Sequence, residues 1–285
     1  MRTICLPICA RRSTHRCGPE ATVPELVEAE ITTLALRRLI GARVRSVEIL
    51  DPRVERSDEL GRGLAAVVGQ RLTGVHRLGK SVDVTCDDAT VLRVRFGMSG
   101  RMVIDGRSAI GDLLYGPDDA RTIWDRARLD TDRGAIAFND PRRFGAIEVN
   151  PAPLVLGPDA TTWTAGQTRS LVGRRRPIKP LLLDQSVVAG VGNLAADEIL
   201  WRIGLDPHQP AGDLGERARA RLADSTREVM AMLLERGGSH LGDLVGFRHS
   251  GALCPVDDTP LERSRISGRT AVWCPAHQRG ADELQ

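Results

Sequence analysis

The hydrophobic period of the chain changes from two to that of a helix past about residue 150, and that change limits what it can fold into. Before about residue 150, apolar residues alternate in short runs: ARVRSVEIL, LTGVHRLGKSVDVTC, ATVLRVRFGMSGRMVI and GAIAFNDPRRFGAIEV. Turns of Gly, Asp and Arg separate them. A period of two places alternate side chains on one face of a strand, so several such runs in series predict an antiparallel β-sandwich. From Pro177 the period becomes helical. LLLDQSVVAG reads as a first helix, Gly190-Val191-Gly192-Asn193 as a tight turn, and 194–203 as a second helix that Gly204 and Pro207 break. Residues 213–236 read as a long helix with Leu222, Thr226, Val229, Met230 and Leu233 on one face, ended by Gly237-Gly238. One more helix precedes the strands. Pro24-Glu25-Leu26 opens it, with Pro at the first helical position and acid in the first turn, and it runs to about Gly41.

The expected class is therefore α+β, with five parts. Residues 1–23 lack periodicity and read as a leader outside the folded protein. Residues 24–150 form the sandwich with its N-terminal helix. Residues 151–176, rich in Pro, Gly and Thr, read as a linker. Residues 177–243 are helical, and 244–285 are too short for an apolar core of their own.

Charge says little about partners. The net charge is +3, but Arg2, Arg11, Arg12 and Arg16 against Glu20 already account for it within the leader. A basic surface must come from local placement. Lys80 and Lys179 are the only lysines among 40 basic residues, which sets them apart because Lys and Arg bind phosphate differently. No run of eighteen apolar residues occurs, so nothing reads as a membrane span. The six cysteines are not spaced as a disulfide framework. Cys254 and Cys274 lie close together near the end, which fits a reduced cytoplasm and one metal site.

Several segments carry a resemblance. PELVEAE at Pro24, FGMSGR at Phe96, NDPRRFG at Asn139, IKPLLLDQSVVAGVGNLAADEIL at Ile178 and GRTAVWCPAHQ at Gly268 are similar, in this order, to motifs of the formamidopyrimidine-DNA glycosylase family. The resemblance spans nearly everything from Pro24 to Gln278. It implies a helix-two-turn-helix in the helical part, a zinc-finger-like β-hairpin at the end, and a monomer acting in the cytoplasm on double-stranded DNA that holds damaged bases or abasic sites.

It also implies roles. Pro24 as a free secondary amine would attack the sugar C1′ and form an iminium, which is covalent catalysis. A proline inside a chain has only an amide nitrogen. This is why Val23 reads as an initiation position and Pro24 as the first residue of the working chain. Glu25 is the expected general acid, with Glu28 a second carboxylate one turn on. Lys80 is expected near the lesion and a phosphate. Met98, Arg142 and Phe144 are expected to fill the space a flipped base leaves. Lys179 and Asn193 are expected to hold phosphates flanking the lesion, and Arg269 to contact DNA from the hairpin.

Two departures from the family pattern stand out. Where relatives carry C-x-x-C twice, this chain has Cys254, Asp257, Cys274 and His277, a set able to bind one structural zinc ion but less tightly than four thiolates. The segment between Gly238 and Cys254 is short, which weakens the expectation of 8-oxoguanine and favours formamidopyrimidines, hydantoins or oxidised pyrimidines. The resemblance leaves three readings: a glycosylase with lyase activity that removes oxidised bases, formamidopyrimidine-type purines foremost; a catalytically silent DNA-damage-binding relative; or a glycosylase preferring oxidised pyrimidines.

Overall fold

The computed structural model describes residues 24–110 and 120–280. The leader expected over residues 1–23, Val23 included, lies outside the described residues. The chain opens with α1 (Leu26–Arg37) and continues through ten strands. These are β1 (Val44–Ile49), β2 (Glu55–Arg56), β3 (Leu72–Leu78), β4 (Ser81–Cys86), β5 (Val91–Arg95), β6 (Arg101–Ile104), β7 (Arg107–Ser108), β8 (Asp125–Thr131), β9 (Gly134–Asn139) and β10 (Ala146–Val149). They form two five-stranded sheets, ordered β1-β8-β9-β6-β7 and β2-β10-β5-β4-β3. All pairings are antiparallel except the short β2–β10 contact, which is parallel.

The alternation read from the sequence is what closes the sandwich. Val82, Val94, Phe138 and Ile147 are all within 2 % of full burial and meet between the sheets. β8 is absent from the sequence reading although it sits inside the first sheet. Its run DRARLDT is mostly charged. Ala127 and Leu129 supply the inward face, while Asp125 and Arg126 are buried by pairing rather than by apolarity.

The second half contains α2 (Ile178–Leu183), α3 (Asn193–Ile203) and α4 (Glu216–Arg236), followed by the hairpin β11 (Glu262–Ile266) and β12 (Arg269–Trp273). The first helix of this half ends seven residues before the expected stop at Gly190. Asp184 accepts hydrogen bonds from the amide and hydroxyl of Ser186 and turns the chain there. The segment expected as a linker is not a loose tether. Ala160, Trp163 and Leu171 are fully buried in the helical core. Among the described residues no helix is long and apolar enough to cross a membrane.

α1 belongs to both cores. Leu26 and Val27 pack into the helical cluster, whereas Ala29 and Leu36 pack into the sandwich. The head of α1 is therefore fixed at the junction of the two halves. Gly190 and Gly192 permit it. A Cβ on Gly190 would lie 2.3 Å from Leu26, and one on Gly192 would lie 2.0 Å from the Glu25 carboxyl carbon.

Candidate active site and nucleic-acid interface

Pro24 is buried at the head of α1 and leads directly into Glu25. Glu25 is 2 % exposed, and its carboxylate accepts from the backbone amides of Leu194 (2.9 Å) and Ala195 (3.2 Å) in the first turn of α3. Glu28 is also buried. It accepts from the Glu25 amide (2.8 Å) and from the amide and hydroxyl of Ser239 (2.7 and 2.8 Å). One helix head thus engages the start of α3 and the chain beyond α4. Burial pushes the Glu25 carboxyl up to about 7. Lys80 pulls the other way, Glu28 adds to the rise, and the two α3 amides lower it. A carboxyl near neutrality can hold a proton at working pH and release it in a reaction.

Lys80 lies half-buried in the turn between β3 and β4. Burial lowers its ammonium pKa, the nearby Glu25 opposes that, and Arg269 adds to the lowering. The turn itself is anchored. Arg77 donates to the Gly79 carbonyl (3.1 Å) while its guanidinium pairs with Glu30 on α1 and Asp159 (both 2.7 Å). Pro24, Glu25, Lys80 and Arg269, spread over 246 positions of sequence, are therefore drawn to one region. Asn193 opens α3 half-buried, and its side-chain oxygen is buried without a hydrogen-bond partner.

Met98, Arg142 and Phe144 sit on two turns that cross between the sheets side by side. Residues 96–100 join β5 to β6, and residues 140–145 join β9 to β10. Those strands are neighbours in both sheets. The Asp140 carboxylate ties the turns together, accepting from the Ser99 hydroxyl (2.5 Å) and the amides of Arg142 (3.1 Å) and Gly145 (2.7 Å). Arg126 donates from beneath to the Asp140 carbonyl (2.8 Å). A Cβ on Gly97 would lie 2.5 Å from the Phe144 backbone, so the two turns touch. What they present is open to solvent. Phe144 is 58 % exposed, and the Arg142 guanidinium lies 5.3 Å from its ring centre. Met98 is half-buried beside them.

Lys179 departs from expectation. Its side chain is fully buried, its ammonium pairs with Asp197 (2.6 Å), and it donates to the Thr270 carbonyl. A desolvated ammonium already engaged this way is not placed to receive a phosphate. Arg269, in contrast, is exposed at the first position of β12, after a Ser267-Gly268 turn in which both residues have positive φ.

The finger offers a partial metal site. Donor atoms of Cys254, Asp257 and Cys274 lie within 4.8 Å of one another. Both cysteines are buried and Asp257 is exposed. Two thiols and a carboxylate suit zinc. His277 does not join them. Its Nε2 meets the Trp201 carbonyl at 2.8 Å, so that nitrogen carries the proton, and its amide donates to the Cys274 sulfur (3.2 Å). The four-ligand expectation is thus reduced to three.

Sequence reasoning did not find Asp140, Ser239, Asp197 or Arg248. One signal was present: Asp197-Glu198 inside an otherwise apolar helical run demands buried partners.

Comparison with known proteins bears on the family and the fold. Residues 23–147 match the formamidopyrimidine-DNA glycosylase N-terminal domain, and residues 156–244 match the formamidopyrimidine-DNA glycosylase H2TH domain. Formamidopyrimidine-DNA glycosylase of Cereibacter sphaeroides is 34% identical over 290 residues, covering 90% of this chain and 100% of the relative. The Thermus thermophilus enzyme is 34% identical over 284 residues, covering 90% and 98%. The crystal structure of the Thermus thermophilus MutM (Fpg) protein superposes with a TM-score of 0.74 at 32% identity, over 90% of this chain and 98% of that one. Lactococcus lactis Fpg in complex with abasic-site DNA gives 0.74 at 25% identity, over 90% and 99%.

Proposed function

The chain belongs to the formamidopyrimidine-DNA glycosylase family, and we propose how its residues carry out base excision in damaged double-stranded DNA. It is a DNA glycosylase. In our reading its lesions are oxidised bases, formamidopyrimidine-type purines foremost, and it also acts as a lyase on the abasic site that results.

The observation that carries this reading is the Glu25 carboxyl, buried beside Pro24 with a pKa raised to about 7 and Lys80 acting on it. The duplex gives up the damaged nucleotide, and Met98, Arg142 and Phe144 fill the gap. The Pro24 amine donates its lone pair to C1′, and the bond from C1′ to the base breaks. Glu25 supplies the proton needed by the departing base or the sugar oxygen. The opened sugar is then an iminium on Pro24, and elimination of the flanking phosphates follows. The helix N-terminus disfavours a positive charge on the amine, which keeps part of it in the nucleophilic free-base form. This chemistry requires Pro24 to be the first residue of the working protein. Asn193, Lys80 and Arg269 are the proposed phosphate contacts, while Lys179 acts from within the protein. Cys254, Asp257 and Cys274 would hold a zinc ion, whose chemistry there would be structural bracing of the hairpin.

Borohydride trapping tests the reading directly. Protein purified from its own host, incubated with abasic-site DNA and reductant, should yield a covalent adduct whose peptide mass places the link on Pro24. A panel of lesion duplexes should show fastest release of formamidopyrimidines. No adduct, or an adduct on a lysine, removes Pro24 from the mechanism.

A further inference from the structure

Asp197 is a buried carboxylate that the chemistry above does not use. It is 2 % exposed on α3, and it meets three separate parts of the chain. One oxygen pairs with the Lys179 ammonium on α2 (2.6 Å). The other pairs with the Arg248 guanidinium, beyond α4, and accepts from the Val272 amide on β12 (3.2 Å). Lys179 in turn donates to the Thr270 carbonyl. Two backbone groups of β12, on residues 270 and 272, are thus gripped by one charge cluster.

Among the described residues β12 pairs only with β11, and an isolated two-stranded hairpin is marginal in water. The hairpin's direction must come from what holds it. Its distal end is attached by Gln278, which accepts from the Cys274 amide (2.9 Å) and donates to the Leu205 carbonyl (3.0 Å). Asp197 and Lys179 hold the end next to the turn, and Arg269 is the residue immediately before Thr270. A buried ionic cluster adds little net stability over apolar packing, but it fixes one geometry because each charge must keep its partners. We propose that Asp197, through Lys179 and the β12 backbone, is the positioning residue that aims Arg269 at DNA. This rests on Arg269 being a DNA contact.

The test is a double-mutant cycle in the full chain, with a duplex containing a tetrahydrofuran abasic analogue as the probe. Arg269→Ala should weaken binding about tenfold and lower the salt slope by about one. Asp197→Asn should do the same, and Arg269→Ala added to it should cost nothing further. Phe144→Ala should keep its full effect in the Asp197→Asn background, which a general loosening of the fold would not allow. Because Asp197→Asn leaves two buried cations unbalanced, Lys179→Met/Asp197→Leu serves as a second background. It removes the grip on Thr270, leaves one cation (Arg248) without Asp197 in place of two, and should behave identically. Independent, additive effects of Arg269→Ala in both backgrounds overturn the proposal. An Arg269→Ala protein that binds like the parent overturns instead the reading of Arg269 as a DNA contact, and the proposal with it.

Discussion

The turns proposed as a wedge and the proposed acid at the head of α1 are built in opposite ways. Met98, Arg142 and Phe144 stand on two neighbouring crossings of one sandwich, and a single carboxylate, Asp140, holds both through groups no more than 41 residues away. Glu25 is held by amides 169 and 170 residues further on, and its partner Glu28 by Ser239 at a separation of 211. The wedge shows its side chains to solvent, where charge is screened. The α1 head buries its charges, where they shift one another. Gripping nucleic acid requires only a rigid platform. Moving a proton requires a desolvated group whose neighbours come from several elements.

Glu25→Gln should produce the largest effect. The amide keeps the shape and can accept from one of the two α3 amides, but it cannot give up a proton, so base release should fall by about 10²- to 10⁴-fold. Binding to an abasic analogue should stay near the parent value because the wedge is untouched. The pH dependence has a definite sign. Glu25 is raised from 4.5 to about 7, so its protonated form is favoured in the folded protein. As acid it loses activity when pH rises through about 7. Its contribution to stability is complete below 4.5 and is lost over the same rise. Melting curves of parent and Glu25→Gln should therefore diverge between about pH 5 and pH 8, the parent losing ground. Parallel curves would mean that the carboxyl is not desolvated.

How much of each region was legible follows from this difference. Met98, Arg142 and Phe144 were also legible through resemblance, helped by NDPRRFG, a short run with an Arg and an aromatic that packing alone does not explain; the Asp140 in that run, which ties the two turns, was passed over. Pro24, Glu25 and Lys80 were legible only through resemblance, since no local pattern shows that a hairpin turn, a helix head and a later helix start converge. Lys179 was misassigned because its neighbour in space, Asp197, is 18 positions away in sequence on another helix. β8 was missed because its burial depends on pairing, and an alternation of charged residues does not register as a strand. His277 was placed among the metal ligands because it matches a cysteine of the family's pattern, while the Trp201 carbonyl that engages it lies 76 residues away.

Asp140→Ala should give the next largest effect, now on the platform. It strands the Ser99 hydroxyl and the Gly145 amide and leaves the Arg142 amide only its longer bond to Ser99 (3.3 Å), at a cost of about 3 kcal/mol in thermal unfolding. Lesion binding should weaken with it. Glu25-dependent chemistry on single-stranded abasic DNA, where no base needs to be displaced, should survive. Loss of both together would show that the two regions are not independent.

Ser239→Ala probes the long-range side more gently. It removes the hydroxyl donor to Glu28 but keeps the backbone amide, so about 1 kcal/mol of stability should go. Because Glu28 faces the Glu25 amide, the pH at which activity falls should move while abasic-site binding does not. A pH profile of base release checks this, and an unchanged midpoint would detach Ser239 from the acid.

The smallest effect on the folded protein, and the sharpest separation of platform from payload, should come from Phe144→Ala. The ring is 58 % exposed, with the Arg142 guanidinium 5.3 Å from its centre, so its removal uncovers little new apolar surface. Stability should change by no more than about 0.5 kcal/mol, within the range of ordinary surface substitutions. The turn beneath is untouched, because Asp140 holds Gly145 and Arg142 by their backbones. What disappears is the apolar body that occupies the vacated stack. Excision from duplex DNA should fall about tenfold, while cleavage of a pre-formed abasic site falls less. Thermal melting beside single-turnover kinetics on both substrates decides it. A drop in stability as large as that of Asp140→Ala would show that Phe144 is part of the scaffold and not the wedge it carries.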